Sequence, residues 1–206
     1  MVQVKICGIT SLADAMLAAA AGADLLGFNF YPPSPRYVEP RLVREILGEL
    51  SSAFQITPVG VFVNESAARV REISAQSGVS LVQLHGDESP EFCRELGLRT
   101  IKAVRVASAE DAEKAAGYEV EALLVDSKTP VFGGSGIRPD WRLAERIARR
   151  FPRVILAGGL TPDNVAAAIA AVKPWGVDAA SGVEKEPGVK DLELVRKFIS
   201  AVQQSN

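Results

Sequence analysis

Lys5-Ile6-Cys7-Gly8-Ile9-Thr10 places an ammonium two positions before a thiol and a glycine directly after it. Val2, Val4 and Ile6 alternate with Gln3, Lys5 and Cys7, so an extended chain puts the lysine and the cysteine on one face and the aliphatics on the other. A cation beside a thiol favours the thiolate and lowers its pKa from about 8.5, which would make Cys7 a base or a nucleophile. The competing reading is a small buried hydrophobe, the commoner fate of a free cysteine.

Asp126 closes the apolar run Ala122-Leu123-Leu124-Val125. A carboxyl group shielded from water at such a strand mouth favours its protonated form and could act as a general acid, although a cap or a loop ion pair is the commoner role. Arg36, in Ser34-Pro35-Arg36-Tyr37, carries the planar fork that grips a carboxylate in two-pronged fashion, or else is a solvated surface arginine. Two glycine turns, Leu156-Ala157-Gly158-Gly159-Leu160-Thr161 and Ala180-Ser181-Gly182-Val183-Glu184, would let backbone N–H groups approach a phosphate closely. Of these, Gly158, Gly159, Ser181 and Gly182 are the candidate phosphate residues, against the plainer alternative of tight connections. His85 reads as a hydrogen-bonded neutral imidazole that supports the site rather than as its base. Gly133-Gly134-Ser135-Gly136 reads as a lid or a flexible connection beside it.

These residues need elements that bring them together, and short aliphatic runs alternating with helix-type runs supply them. The strand-type runs are Val2–Ile6, Leu25–Phe30, Val59–Val63, Leu81–Leu84, Thr100–Val106, Ala122–Val125, Val154–Leu156 and Gly176–Ala179. Helices are expected after each: Ser11 caps one that stops at Gly22, and Ser89-Pro90 opens another that stops at Gly97. A further helix is expected over Thr161–Val172, with Thr161 as cap and Pro162 as its first residue. Eight strand-plus-helix units of α/β type predict a single compact (β/α)8 TIM barrel over residues 1–206, with an open doubly wound sheet as the alternative. In such a barrel the strand ends converge on one face, and the chemically suggestive residues sit at strand ends.

A chain of 206 residues, 48% hydrophobic and 23% charged, fits one globular domain, and its formal charge of −2 offers no global attraction for nucleic acid or an anionic membrane. Any anion site must be local. The two cysteines, Cys7 and Cys93, show no metal-ligand spacing, and one histidine excludes multi-histidine centres, so no metal is expected. With no secretory leader or apolar run long enough to span a bilayer, the expected setting is the cytoplasm. The charged helix face of Arg142, Glu145, Arg146, Arg149 and Arg150 is expected to be solvated. An alanine-rich barrel with many Arg and Glu residues is compatible with a homodimer.

The motifs taken in order resemble the phosphoribosylanthranilate isomerase family of tryptophan biosynthesis. Besides Lys5–Thr10, these are Gly27-Phe28-Asn29-Phe30 with Ser34–Val38, Val59-Gly60-Val61-Phe62-Val63-Asn64, Val82-Gln83-Leu84-His85-Gly86-Asp87-Glu88 and Val125-Asp126-Ser127. Leu156–Val165, Ser181-Gly182-Val183-Glu184 and Gly188-Val189-Lys190-Asp191 complete the series, which spans essentially the whole chain. Ala180 departs from the family pattern, which usually has a serine there. The resemblance implies an Amadori rearrangement of N-(5-phosphoribosyl)anthranilate, a small phosphorylated substrate, without a cofactor. It implies Asp126 as general acid, Cys7 as general base, Arg36 as carboxylate clamp and the two glycine loops as phosphate cradle. Other readings are a related phosphate-binding barrel enzyme such as indoleglycerol-phosphate synthase, and a noncatalytic barrel. The latter would have no need of Cys7 with Asp126.

Overall fold

In the computed structural model, which describes residues 1–115, 117–127 and 140–205, eight parallel strands close into a barrel in sequence order. They are β1 (Gln3–Cys7), β2 (Leu25–Asn29), β3 (Thr57–Phe62), β4 (Leu81–Leu84), β5 (Thr100–Val106), β6 (Ala122–Ser127), β7 (Val154–Leu156) and β8 (Gly176–Ala179). The expected (β/α)8 architecture is therefore the one adopted. Closure is made by β1 against β8, where Lys5 lies opposite Asp178.

A strand sends alternate side chains to opposite faces, and here both faces are buried. One set, Leu25, Val59, Leu81, Ile101, Ala103, Ala122, Leu124, Ile155 and Ala157, fills the barrel interior. The alternate set, including Val4, Ile6, Leu26, Phe28, Leu123, Val125 and Val177, packs outward under the helices. Lys5 and Cys7 share the register of the inner set, as the alternation of Val2–Cys7 predicts.

The helices are α1 (Leu12–Ala21), α2 (Pro40–Leu50), α3 (Ala67–Ser77), α4 (Pro90–Leu96), α5 (Ala109–Ala115), α6 (Trp141–Ala148), α7 (Val165–Val172) and α8 (Leu192–Gln203). Ser11 and Ser89 accept from the backbone N–H groups of Asp14 and Phe92, and Gly22 and Gly97 close their helices in the left-handed conformation. Arg142 and Arg146 on α6 and Arg149 and Arg150 just after it are exposed and Glu145 is half-buried, while Ala144 and Ile147 face inward. The start of α7 differs from expectation. Asn164 folds back instead, its Oδ1 accepting from the Thr161 N–H at 3.0 Å and its Nδ2 donating to the Gly159 carbonyl at 2.9 Å. That turn occupies Pro162 and Asp163, so the helix begins at Val165.

One element has no counterpart in the sequence reading. After a single 3-10 turn at Ser181–Val183, a two-stranded antiparallel hairpin, β9 (Glu184–Glu186) and β10 (Val189–Lys190), leads into α8. The glycine-rich segment Gly133–Gly136 lies outside the described residues.

Candidate active site

The first cluster sits where β1 meets β8. Lys5 is fully buried, and its Nζ donates to Asp178 Oδ1 at 2.8 Å. Burial alone would push the ammonium's pKa down, but the Asp178 carboxylate and the Cys7 sulfur outweigh it and hold the group above its ordinary value. A Cβ built on Gly27 would lie 2.7 Å from Cys7 Sγ and 3.0 Å from Lys5 Nζ. Those two atoms are therefore within about 6 Å of each other, inside the range where opposite charges shift a titration. Only glycine at position 27 leaves room for both.

The effect on Cys7 is the reverse of the one expected from a neighbouring lysine. Burial is the largest influence and pushes the thiol up; Lys5 and Lys190 pull it down, but Asp178 adds to the rise. The net position is above the ordinary value. Lys5 is shared with a carboxylate, so it offsets the loss of water around the sulfur only in part.

Arg36, in the loop after β2, meets Glu184 at the start of β9. Its Nε donates to both carboxylate oxygens, at 2.9 Å to Oε1 and 3.2 Å to Oε2, and its Nη2 donates to Oε2 at 2.7 Å. Lys190 Nζ donates to Glu184 Oε1 at 2.7 Å and to the backbone carbonyl of Cys7 at 2.5 Å. Burial pushes the Glu184 carboxyl up, yet the hydrogen bonds from Arg36 and the charge of Lys190 hold it below the usual carboxylate range. The Arg36 side chain crosses Gly8, where a Cβ would come within 2.5 Å of its Cδ.

On the other side of the mouth, His85 follows β4 and Asp126 lies at the end of β6. His85 Nε2 faces Asp126 Oδ2 at 3.5 Å, and Nδ1 is 2.7 Å from the Gln83 side-chain nitrogen. The amide donates, so Nδ1 is the acceptor and the proton of a neutral ring resides on Nε2, toward Asp126. His85 and Asp126 are both buried. The loop carrying His85 is fixed from behind by Glu88, which accepts from the N–H groups of Asn64 and Gly86 and from Lys102 Nζ at 2.9 Å. Lys102 also donates to the carbonyls of Leu84 and Gly86. Arg105, from the end of β5, pairs with Asp87 in the same loop.

The glycine turns close the ring. Gly158 and Gly159, after β7, both have positive φ, at 85° and 61°. Gly182 lies in the 3-10 turn after β8, where a Cβ would fall 1.9 Å from the Leu160 carbonyl oxygen, so the two loops pack backbone against backbone.

A family model for N-(5'phosphoribosyl)anthranilate (PRA) isomerase matches residues 4–201. The chain belongs to the phosphoribosylanthranilate isomerase family. It is accordingly an intramolecular isomerase of tryptophan biosynthesis. The isomerase from Trichlorobacter lovleyi is 48% identical over 200 residues, 97% of each chain, and that from Thermotoga maritima is 45% identical over 201 residues, 97% of each. The crystal structure of the Thermotoga maritima isomerase superposes with a TM-score of 0.92 at 44% identity, covering 99% of this chain and all of that one. Another isomerase structure, at TM-score 0.89 and 41% identity over 99% of this chain and all of that one, is a complex with reduced 1-(o-carboxyphenylamino)-1-deoxyribulose 5-phosphate.

Within this isomerase fold Cys7, His85, Asp126, Gly158, Gly159, Ser181 and Gly182 lie at or next to the carboxyl ends of the strands. Lys5 and Cys7 share β1, His85 and Asp126 face each other, and Gly158, Gly159, Ser181 and Gly182 form adjoining loops. Arg36 lies in the loop after β2, paired with Glu184 and against Gly8. Sequence reasoning assigned no role to Asp178, Glu184 or Lys190. For Asp178 the available signal was an acid in the apolar run Gly176-Val177-Asp178-Ala179; the other two lie inside motifs already noted for the family.

Proposed function

We propose that this isomerase rearranges N-(5-phosphoribosyl)anthranilate to the 1-deoxyribulose 5-phosphate derivative with Asp126 as general acid and Cys7 as general base. Asp126 donates a proton to the furanose ring oxygen as the C1–O bond breaks and the anthranilate nitrogen forms a protonated imine. Cys7, as thiolate, takes the proton from C2, and the electron pair moves into a C1–C2 double bond, neutralising the imine. The enolamine then tautomerises to the ketone, with C1 gaining a proton and the C2 hydroxyl losing one. The imine is the electron sink, so the steps balance without a cofactor.

The observation that carries this reading is the placement of Cys7 and Asp126 at strand ends separated by β7 and β8, on either side of one mouth. The raised pKa of Cys7 makes thiolate scarce in the free protein. A positive imine held beside the sulfur would favour ionisation at the moment the base is needed. Arg36 takes the anthranilate carboxylate, and Gly158, Gly159, Ser181 and Gly182 take the phosphate through backbone donors. The relative bound to a reduced product analogue, which carries both a carboxylate and a phosphate, supports a site that takes both groups. His85 supports Asp126, and Lys5 supports Cys7.

The test follows loss of anthranilate fluorescence with freshly generated substrate. Cys7→Ser and Asp126→Asn should each reduce turnover by about a hundredfold or more, the lower range for removing a general base or acid. Near wild-type turnover by either folded variant overturns the role assignment. The Thermotoga maritima relative is described as dimeric, which supports a homodimer here, to be checked by light scattering. Among the described residues no helix is long and apolar enough to cross a membrane, and a biosynthetic isomerase fits the cytoplasm.

A further inference from the structure

The Arg36–Glu184 pair is made along one side of the guanidinium only. Glu184 engages Nε and Nη2, with three contacts between 2.7 and 3.2 Å. A guanidinium has five N–H donors in a plane, and side-on pairing uses two of them. The Nη1 group and the outer hydrogen of Nη2 form a second edge that Glu184 does not reach, with the spacing of a second two-pronged carboxylate site. Arg36 is thus already paired, yet still presents a complete fork.

Glu184 is itself held. Its side chain is 3% exposed, and Lys190 Nζ, fully buried, binds Oε1 at 2.7 Å while donating to the carbonyl of Cys7 at 2.5 Å. The triad Arg36–Glu184–Lys190 therefore ties the orientation of the guanidinium to the backbone at the end of β1. A flexible arginine loses rotamer freedom on binding a ligand, whereas one pinned along its inner edge has lost it beforehand.

We propose that Glu184 is a positioning residue that sets the enzyme's preference for a substrate bearing an aromatic carboxylate: it locks Arg36 by its inner edge so that the outer edge faces the mouth. The proposal rests on the reading of Arg36 as the carboxylate clamp. Lys190 serves as the anchor that keeps Glu184 from following the arginine outward.

The experiment compares kcat and KM for N-(5-phosphoribosyl)anthranilate and for N-(5-phosphoribosyl)aniline, which lacks the carboxylate, in wild type, Glu184→Gln, Arg36→Lys and Arg36→Met. In Glu184→Gln the amide nitrogen opposes a guanidinium N–H, so the lock is lost. KM for the anthranilate substrate should rise by about tenfold to a hundredfold, the range for a hydrogen bond to a charged group. KM for the aniline substrate, and kcat for either, should change by less than about threefold, whereas a merely structural defect would lower kcat for both. Arg36→Lys keeps a cation for Glu184 but has no second fork, and it should lose the same discrimination even if Glu184→Gln folds poorly. A Glu184→Gln enzyme that keeps its preference, or an Arg36→Lys enzyme within twofold of wild type, overturns the proposal. Arg36→Met separates the two levels. If it raises KM for the anthranilate substrate while Glu184→Gln does not, the clamp stands and the Glu184 assignment falls. If it leaves that KM unchanged, the clamp itself is wrong.

Discussion

Replacing Lys5 by methionine isolates the electrostatics of the Cys7 thiol. The substitution removes the nearest cation and leaves the Asp178 carboxylate without its 2.8 Å partner. Both changes act in the same direction, because Lys5 lowers the thiol pKa and Asp178 raises it. Opposite charges within 4–6 Å typically move a titration by about 1–3 units, so the Cys7 pKa should climb by at least about one unit above its already raised position. Each unit reduces the thiolate fraction near neutrality about tenfold, and kcat/KM below the thiol pKa should fall in proportion. The rising limb of the pH profile therefore shifts to more alkaline pH. An unpaired buried carboxylate costs about 3–5 kcal/mol, so the companion variant is Lys5→Met with Asp178→Leu, which removes the pair together. Lys5 outweighs Asp178 in its effect on the thiol, so the double variant should titrate between wild type and the single variant. The assay is the pH dependence of iodoacetamide alkylation at Cys7, read by peptide mass spectrometry with buried Cys93 as an internal reference, alongside kcat/KM. A single variant whose midpoint stays within about 0.3 unit of wild type, or moves to lower pH, refutes the account, since even the smallest expected shift is larger.

Two further predictions concern the scaffold. Gly182→Ala puts a methyl group 1.9 Å from the Leu160 carbonyl oxygen, so the 3-10 turn must move. Stability should fall by about 1–3 kcal/mol, and inhibition by inorganic phosphate should weaken, as thermal melts and competition assays would show. Lys102→Met strands the buried Glu88 carboxylate behind the His85 loop and should cost about 3–5 kcal/mol in urea unfolding, with part of the loss recovered when Glu88→Gln is added.

The barrel was legible because each strand is a compact aliphatic run and each helix carries its own punctuation, as at Ser11 with Gly22 and Ser89 with Gly97. The α7 start is not legible because Thr161-Pro162 is a strong local signal that the Asn164 side chain overrides by bonding back across the turn. Nothing in the strand Thr100–Val106 marks Lys102 as a partner of Glu88, because the outer face of this sheet is covered and the lysine is buried there. The hairpin at Glu184–Lys190 left no mark because Glu184-Lys185-Glu186-Pro187-Gly188 has the composition of a surface loop. Cys7, Asp126 and Arg36 could be picked out by type and place, since strand ends converge in a barrel. Their electrical state could not. It depends on Asp178, 173 residues from Lys5, and on Glu184, 148 residues from Arg36.

The seam between β1 and β8 also has a consequence for biosynthesis. Lys5 awaits Asp178, Thr10 donates to the Gly188 carbonyl, and the backbone at Cys7 receives Lys190. The thiol lies 183 residues ahead of Lys190, so its surroundings are complete only after residue 190 has left the ribosome. A nascent chain halted before Asp178 presents Cys7 and Lys5 without Asp178 and Lys190. Two fragments divided between β4 and β5 would each carry half of the seam, so recovered activity on mixing them would report that the barrel has closed.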